Sequence, residues 1–194
     1  MPPLSGGAVL SQRSKILGWI RLALVYAFVA ALLVVSRPTV PLFAAGAVLV
    51  AAGGAVRLWA AGHLVKSVRL VTSGPYAYTQ NPLYLGRLLI LTGLGIAARG
   101  PAYVNLVALA IGYAIFFFYY MPRKLRVEGG RLARLHGSDF EAYHGAVPIL
   151  FPSARRYPAA SRDPWSFRRM ALNQEPLVAG GLLIVLGILF VKTR

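Results

Sequence analysis

Four long apolar runs and a shorter fifth, each closed by proline, glycine or charge, constrain this chain more than any other feature. A run of about 20 apolar residues rising 1.5 Å each crosses a hydrocarbon core of about 30 Å as a helix. The first run covers residues 16–36 and stops at Arg37-Pro38, because proline cannot continue a helix and disfavours helix in the residue before it. The second covers 40–61. The third, 83–98, begins after Pro82, and Arg99-Gly100-Pro101 separates it from the fourth, 102–121, so these two form a tight hairpin. The fifth, 177–191, follows Asn173-Gln174-Glu175-Pro176, a polar helix start with proline in the first turn. The expected fold is all-α: one polytopic membrane domain over residues 1–194, with about five transmembrane helices and a cytoplasmic segment at 122–170.

Composition agrees with this layout. Hydrophobic residues make up 57% and charged residues 13%, about half the roughly 25% usual in soluble domains. Mean hydropathy is +0.62, which excludes a soluble globular chain and a disordered one. With no cysteine, disulfides, thiol nucleophiles and Cys-type zinc or iron–sulfur sites are excluded. The first run exceeds the 7 to 15 apolar residues of a cleavable signal core, so a retained signal anchor is expected.

The 21 Lys and Arg against five acids give a net charge of +16, which raises nucleic acid as a partner. Topology accounts for the charge instead. With the N-terminus in the cytoplasm, and Arg21, Arg57 and Arg87 given to their nearer face, every Lys and Arg lies inside except Arg37, Arg99, Lys192 and Arg194. The expected location is a bacterial inner membrane, with membrane lipids as partners and no nucleic acid. Arg21, Arg57 and Arg87, inside apolar segments, either snorkel to the headgroups or border a cytoplasm-facing pocket.

Two polar segments carry the functional information. The loop from Leu70 to Gly86 holds the turn dipeptides Gly74-Pro75 and Asn81-Pro82 and three tyrosines, Tyr76, Tyr78 and Tyr84. The tyrosines form either an interfacial aromatic belt or a binding surface. The second segment, Met121 to Pro152, contains Glu128, Asp139 and Glu141. Ser138-Asp139-Phe140-Glu141 matches a capping box, which explains the latter two acids. Glu128 lies among Arg123, Lys124, Arg126 and Arg131 and either pairs with them or binds a ligand. His63, His136 and His144 lack a recognisable metal spacing, so no metal is expected.

At these two segments the sequence resembles the isoprenylcysteine carboxyl methyltransferase family of integral membrane methyltransferases, related to the phospholipid methyltransferases. Gly74, Tyr76, Pro82, Tyr84 and Gly86 match the first family motif. Leu132, Gly137, Phe140, Tyr143, Val147-Pro148 and Phe151-Pro152 match the second. Gln80 and Asn81 stand where the family has Arg-His, and Gly129 where it has a second glutamate.

The resemblance implies S-adenosylmethionine as cofactor and methyl transfer to a lipophilic small molecule, with a carboxylate as a suitable acceptor. It places the cofactor at Val68, Arg69, Leu70 and Val71, at Tyr76, at Asn81, Pro82, Leu83 and Tyr84, and at Glu128. It places the substrate at Lys124, with Arg123 as the alternate. The physical chemistry is compatible, because Glu128 could pair with the ligand's ammonium and tyrosine faces could stack on adenine or lie against the sulfonium. No catalytic residue is assigned, since in-line methyl transfer needs only alignment of donor and acceptor. The alternatives are an NADPH-dependent membrane reductase of the sterol-reductase type and a non-catalytic cofactor-binding membrane protein. Gly53-Gly54, Gly93-x-Gly95 and Gly180-Gly181 permit close helix contacts, and the oligomeric state stays open.

Overall fold

The computed structural model describes residues 27, 29–65 and 69–193, and within them the chain is helical, with no β-strand. Residues 29–35 form the end of α1; the rest of the expected first span, 16–26 and 28, lies outside the described residues. There follow α2 (Val40–His63), a 3-10 turn (Gly74–Ala77), α3 (Pro82–Ala98) and a second 3-10 turn (Pro101–Tyr103). One helical stretch, broken by a kink at Gly137, then runs from Val104 to Ala146. Its parts are α4 (Val104–Ile115), a π-helical stretch (Phe116–Tyr120), α5 (Met121–Lys124), a second π-helical stretch (Leu125–Gly129) and α6 (Gly130–Ala146). The short α7 (Phe167–Leu172) and α8 (Glu175–Val191) complete the chain. Among the described residues, α2 and the Val104–Ala146 helix are long and apolar enough to cross a membrane.

Proline opens α2, α3 and α8, each time in the first turn, where its missing N–H would have had no helical partner. The long helix treats proline differently. Pro122 lies inside it, has no N–H to donate and crowds the carbonyl of Phe118 four residues back. The helix widens to π geometry on both sides of Met121–Lys124 and continues, so it does not end at Met121 as the apolar pattern suggests. The chain does turn at Gly137, whose φ of 46° and ψ of −122° suit glycine alone. This kink immediately precedes Ser138, where the capping-box pattern anticipates a new helix start.

α2 and α3 pack backbone against backbone. A Cβ placed on Gly53 would lie 2.6 Å from the Gly86 carbonyl oxygen, and one on Gly86 would lie 2.7 Å from the Gly53 oxygen. Gly46 and Gly93 repeat the contact two turns away. Such small-residue seams let apolar helices gain packing where lipid offers no hydrophobic driving force. Of the glycines singled out in the sequence, Gly53 and Gly93 build this seam and Gly95 abuts Leu109, while Gly54, Gly180 and Gly181 meet nothing within 4 Å.

The segment after α6 returns beneath the tyrosine loop and is stitched to it. Gln80 N–H donates to the Pro148 carbonyl (2.9 Å), Ser153 N–H to Tyr78 (2.9 Å) and Tyr157 N–H to Ala77 (2.8 Å). The Thr79 hydroxyl donates to the Leu150 carbonyl at 2.8 Å. Further on, Trp165 Nε1 donates to the Leu58 carbonyl, Ser166 N–H to Gly62 and Asn173 Nδ2 to Ala61. Of these acceptors, Gly62 lies in the last turn of α2, where a carbonyl has no helical donor four residues on.

Candidate functional site

The stitched loop and the second π-helical stretch face each other across a cavity of about 710 Å³. Arg69, Leu70 and Val71 line it, as do Tyr76 and the tetrad Asn81, Pro82, Leu83 and Tyr84. Lys124 and Glu128 line the opposite wall. Val68 lies outside the described residues. Arg123 is not among the lining residues, and its guanidinium donates to the Tyr119 hydroxyl at 3.1 Å. Around the helix Arg123 is offset by about 100° from Lys124, and its side chain is turned to Tyr119 one turn back.

Lys124 is the hub of the polar wall. Its ammonium donates to Asn81 Oδ1, lies 3.2 Å from the Glu128 carboxylate one helical turn on, and sits 5.0 Å from the Tyr84 ring centroid. The family resemblance assigns Lys124 and Glu128 to different ligands; the structure pairs Glu128 with Lys124, one of the basic neighbours that the sequence offers it. Arg87 approaches the same Tyr84 ring at 5.1 Å. Tyr84 in turn packs on Phe116, at a centroid distance of 5.7 Å, within the cluster of Leu88, Met121 and Leu150.

Tyr76 is 7% exposed, and among the described residues its hydroxyl has no hydrogen-bond partner. Burial pushes this phenol well above its ordinary range, with Tyr143, Glu128 and Glu175 acting in the same direction and Arg57 against it. It is therefore a neutral hydroxyl with an unmade bond at the cavity wall, an arrangement that costs stability unless a ligand completes it. Tyr143 holds the residue in place by donating its own hydroxyl to the Tyr76 carbonyl at 2.8 Å.

Gln80 and Asn81 have structural work. Gln80 Nε2 donates to the Val147 and His144 carbonyls, its Oε1 lies 2.9 Å from His144 Nδ1, and Asn81 Nδ2 donates to the Ile149 carbonyl at 2.7 Å. Sequence reasoning missed Tyr143 and His144 as wall residues. Their signal was present: Phe140, Tyr143 and His144 recur at i, i+3 and i+4, which is one helix face, and Phe140 stacks on His144 at 5.4 Å. Arg57 neither snorkels nor enters the cavity, because Glu175 pairs with it inside the fold. The wall as a whole combines aromatic faces with a hydroxyl, an ammonium, a carboxylate and amides, which suits an organic ligand with polar and apolar parts. Among the described residues no group of three or more His, Asp or Glu is placed to hold a metal ion.

No family model matches the chain, and no solved structure matches it. Two curated proteins are similar. One is the cobalt-zinc-cadmium resistance protein CzcN of Cupriavidus metallidurans, 35% identical over 103 residues, or 52% of this chain and 44% of that protein. The other is the nickel-cobalt-cadmium resistance protein NccN of Alcaligenes xylosoxydans xylosoxydans, 33% identical over 98 residues, or 50% of this chain and 43% of that protein. The chain thus spans less than half the length of the curated relatives it matches.

These relatives overturn the methyltransferase reading. Both carry metal-resistance names, so the resemblance to the isoprenylcysteine carboxyl methyltransferases, the S-adenosylmethionine-dependent methyl transfer drawn from it and the NADPH-dependent reductase alternative are corrected. The physical reason is visible in which residues matched. Gly74 matches because it sits at φ +57° against His63, Pro82 because it opens α3, and Gly86 because it packs on Gly53. Those residues build a backbone and specify no reaction.

Proposed function

We propose that this chain is a membrane component of divalent-metal resistance whose cavity between the tyrosine loop and the Lys124–Glu128 turn binds a small organic ligand. The similarity to two resistance proteins at 33% and 35% identity carries the assignment to metal tolerance. The Tyr76 hydroxyl at the cavity wall, which has no partner among the described residues, supports a ligand there. The ligand acts alongside the metal rather than as its cage. S-adenosylmethionine is the first occupant to test, as a ligand and without methyl transfer, and it must compete with Lys124 for Glu128.

We further propose five spans with the N-terminus in the cytoplasm of a bacterial inner membrane and the cavity on the cytoplasmic side. The support is the charge distribution, which leaves Arg37, Arg99, Lys192 and Arg194 on the other face. A reporter after Arg194 is then external and one near Ser161 cytoplasmic.

The test is tolerance. A metal-sensitive bacterial host expressing the full chain should grow at higher cobalt, zinc, cadmium or nickel than the host alone, and Lys124→Met or Tyr84→Ala should abolish the gain at equal membrane abundance. Unchanged tolerance to all four metals with the parent chain would remove the proposal.

A further inference from the structure

A second cavity, of about 1310 Å³, lies at the opposite end of α3 from the first, about 25 Å away along that 17-residue helix. Three turns meet there: the link between α1 and α2, the link between α3 and α4, and the end of α8. Each contributes a cation to the lining, Arg37, Arg99 and Lys192 respectively, and no acid is among the lining residues. Three residues that the sequence scatters over 155 positions thus converge on one basin.

The basin is built rather than accidental. Arg37 N–H donates to the Arg99 carbonyl at 2.8 Å, tying two of the turns together. Asn105 braces the α3–α4 link itself, accepting from Gly100 N–H at 3.1 Å and donating to the Gly95 carbonyl at 2.8 Å. Lys192 spends two of its three donors on the Leu33 and Val34 carbonyls at the end of α1, which leaves one for a ligand. Arg99 has φ 28° and ψ 92°, and Tyr103 has φ 60°, both conformations that favour glycine. Strain of this kind persists where surrounding structure holds it, and it concentrates at binding sites.

The walls decide between a free anion and a lipid. Val34, Leu106 and Val191 line the basin at 78%, 50% and 84% exposure, beside Leu42. Guanidinium groups take phosphate oxygens in pairs, while exposed aliphatic side chains next to them offer nothing to inorganic phosphate and much to an acyl chain. We propose that this basin binds an anionic phospholipid, with Arg37, Arg99 and Lys192 on its phosphate and the aliphatic rim along its chains. The site is separate from the ligand cavity and does not rest on the metal-tolerance reading.

The experiment uses the full chain purified in neutral detergent and follows thermal unfolding during titration with phosphatidylglycerol, with phosphatidylcholine of the same chains, and with inorganic phosphate. Phosphatidylglycerol should raise the midpoint saturably, and the other two should shift it little. Arg37→Gln with Arg99→Gly should weaken the phosphatidylglycerol response about tenfold or more. Arg99→Gly alone relaxes a backbone position that disfavours arginine, so this variant folds and carries the test even if the double variant does not. Equal stabilisation by phosphatidylcholine, equal stabilisation by inorganic phosphate, or an undiminished response in Arg99→Gly would each overturn the proposal.

Discussion

Arg57 and Glu175, 118 residues apart, form a two-pronged ion pair: Nη2 lies 2.7 Å from one carboxylate oxygen and Nε 3.0 Å from the other. Both residues are nearly buried, at 8% and 4% exposure, and Arg57 also donates to the Leu83 carbonyl in the cavity wall at 3.4 Å. The pair therefore joins α2, the start of α8 and the first turn of α3. A buried pair contributes little beyond what a well-packed apolar pair would, yet breaking it strands a charge. Glu175→Leu should destabilise the fold by about 3 to 5 kcal/mol, and adding Arg57→Met should restore most of the loss. Denaturant unfolding in detergent checks this; a double variant no better than the single would refute the stranded-charge account.

Tyr76 and Tyr143 should respond oppositely to the same chemical change. Tyr76→Phe removes a buried hydroxyl that has no partner among the described residues, so the unliganded protein should lose nothing or gain up to about 1 kcal/mol. Tyr143→Phe leaves the Tyr76 carbonyl without its donor and should cost about 1 to 3 kcal/mol. Equal losses in the two variants, by thermal unfolding, would show that the Tyr76 hydroxyl is engaged.

Lys124 and Glu128 form a helical i, i+4 pair with Glu128 about half exposed, so their direct coupling should stay below about 1 kcal/mol in a double-mutant cycle. Lys124 also holds Asn81 and faces Tyr84, and these contacts do not need Glu128. Lys124→Met should therefore be the more damaging single variant, in stability and in ligand affinity alike. The reverse order would place the ligand on Glu128.

Adjacent glycines in α2 should behave differently. Gly53→Ala drives a methyl into the Gly86 carbonyl and should cost about 1 to 3 kcal/mol through overpacking. Gly54→Ala meets open space and should gain up to about 1 kcal/mol from helix propensity. Thermal midpoints of the two variants in detergent decide it, and similar values would mean the α2–α3 seam yields.

What the sequence determined by itself is what depends on short stretches of chain. Apolar runs make helices, Pro41, Pro82 and Pro176 open them, and a tyrosine-rich loop with turn dipeptides is local chemistry that neighbours in sequence dictate. Tyr76, Asn81 to Tyr84, Lys124 and Glu128, which line the cavity, are singled out in the sequence through the family resemblance, whose motifs are short local stretches at the ends of apolar helices. The tertiary structure decided everything that needed a distant partner. Pro122 reads as a helix end, but the chain on either side found it less costly to widen than to stop. Gln80 and Asn81 read only as departures from the family's Arg-His until the 147–149 segment arrives to take their hydrogen bonds. Arg57 reads as a snorkelling cation until Glu175 meets it, and Arg37, Arg99 and Lys192 are three unrelated turn residues until α1, α3 and α8 bring their ends together. Helix and turn formation are governed by interactions over a few residues, whereas the environment of a charge is set by whatever the fold places beside it, and one stretch of sequence does not contain that information.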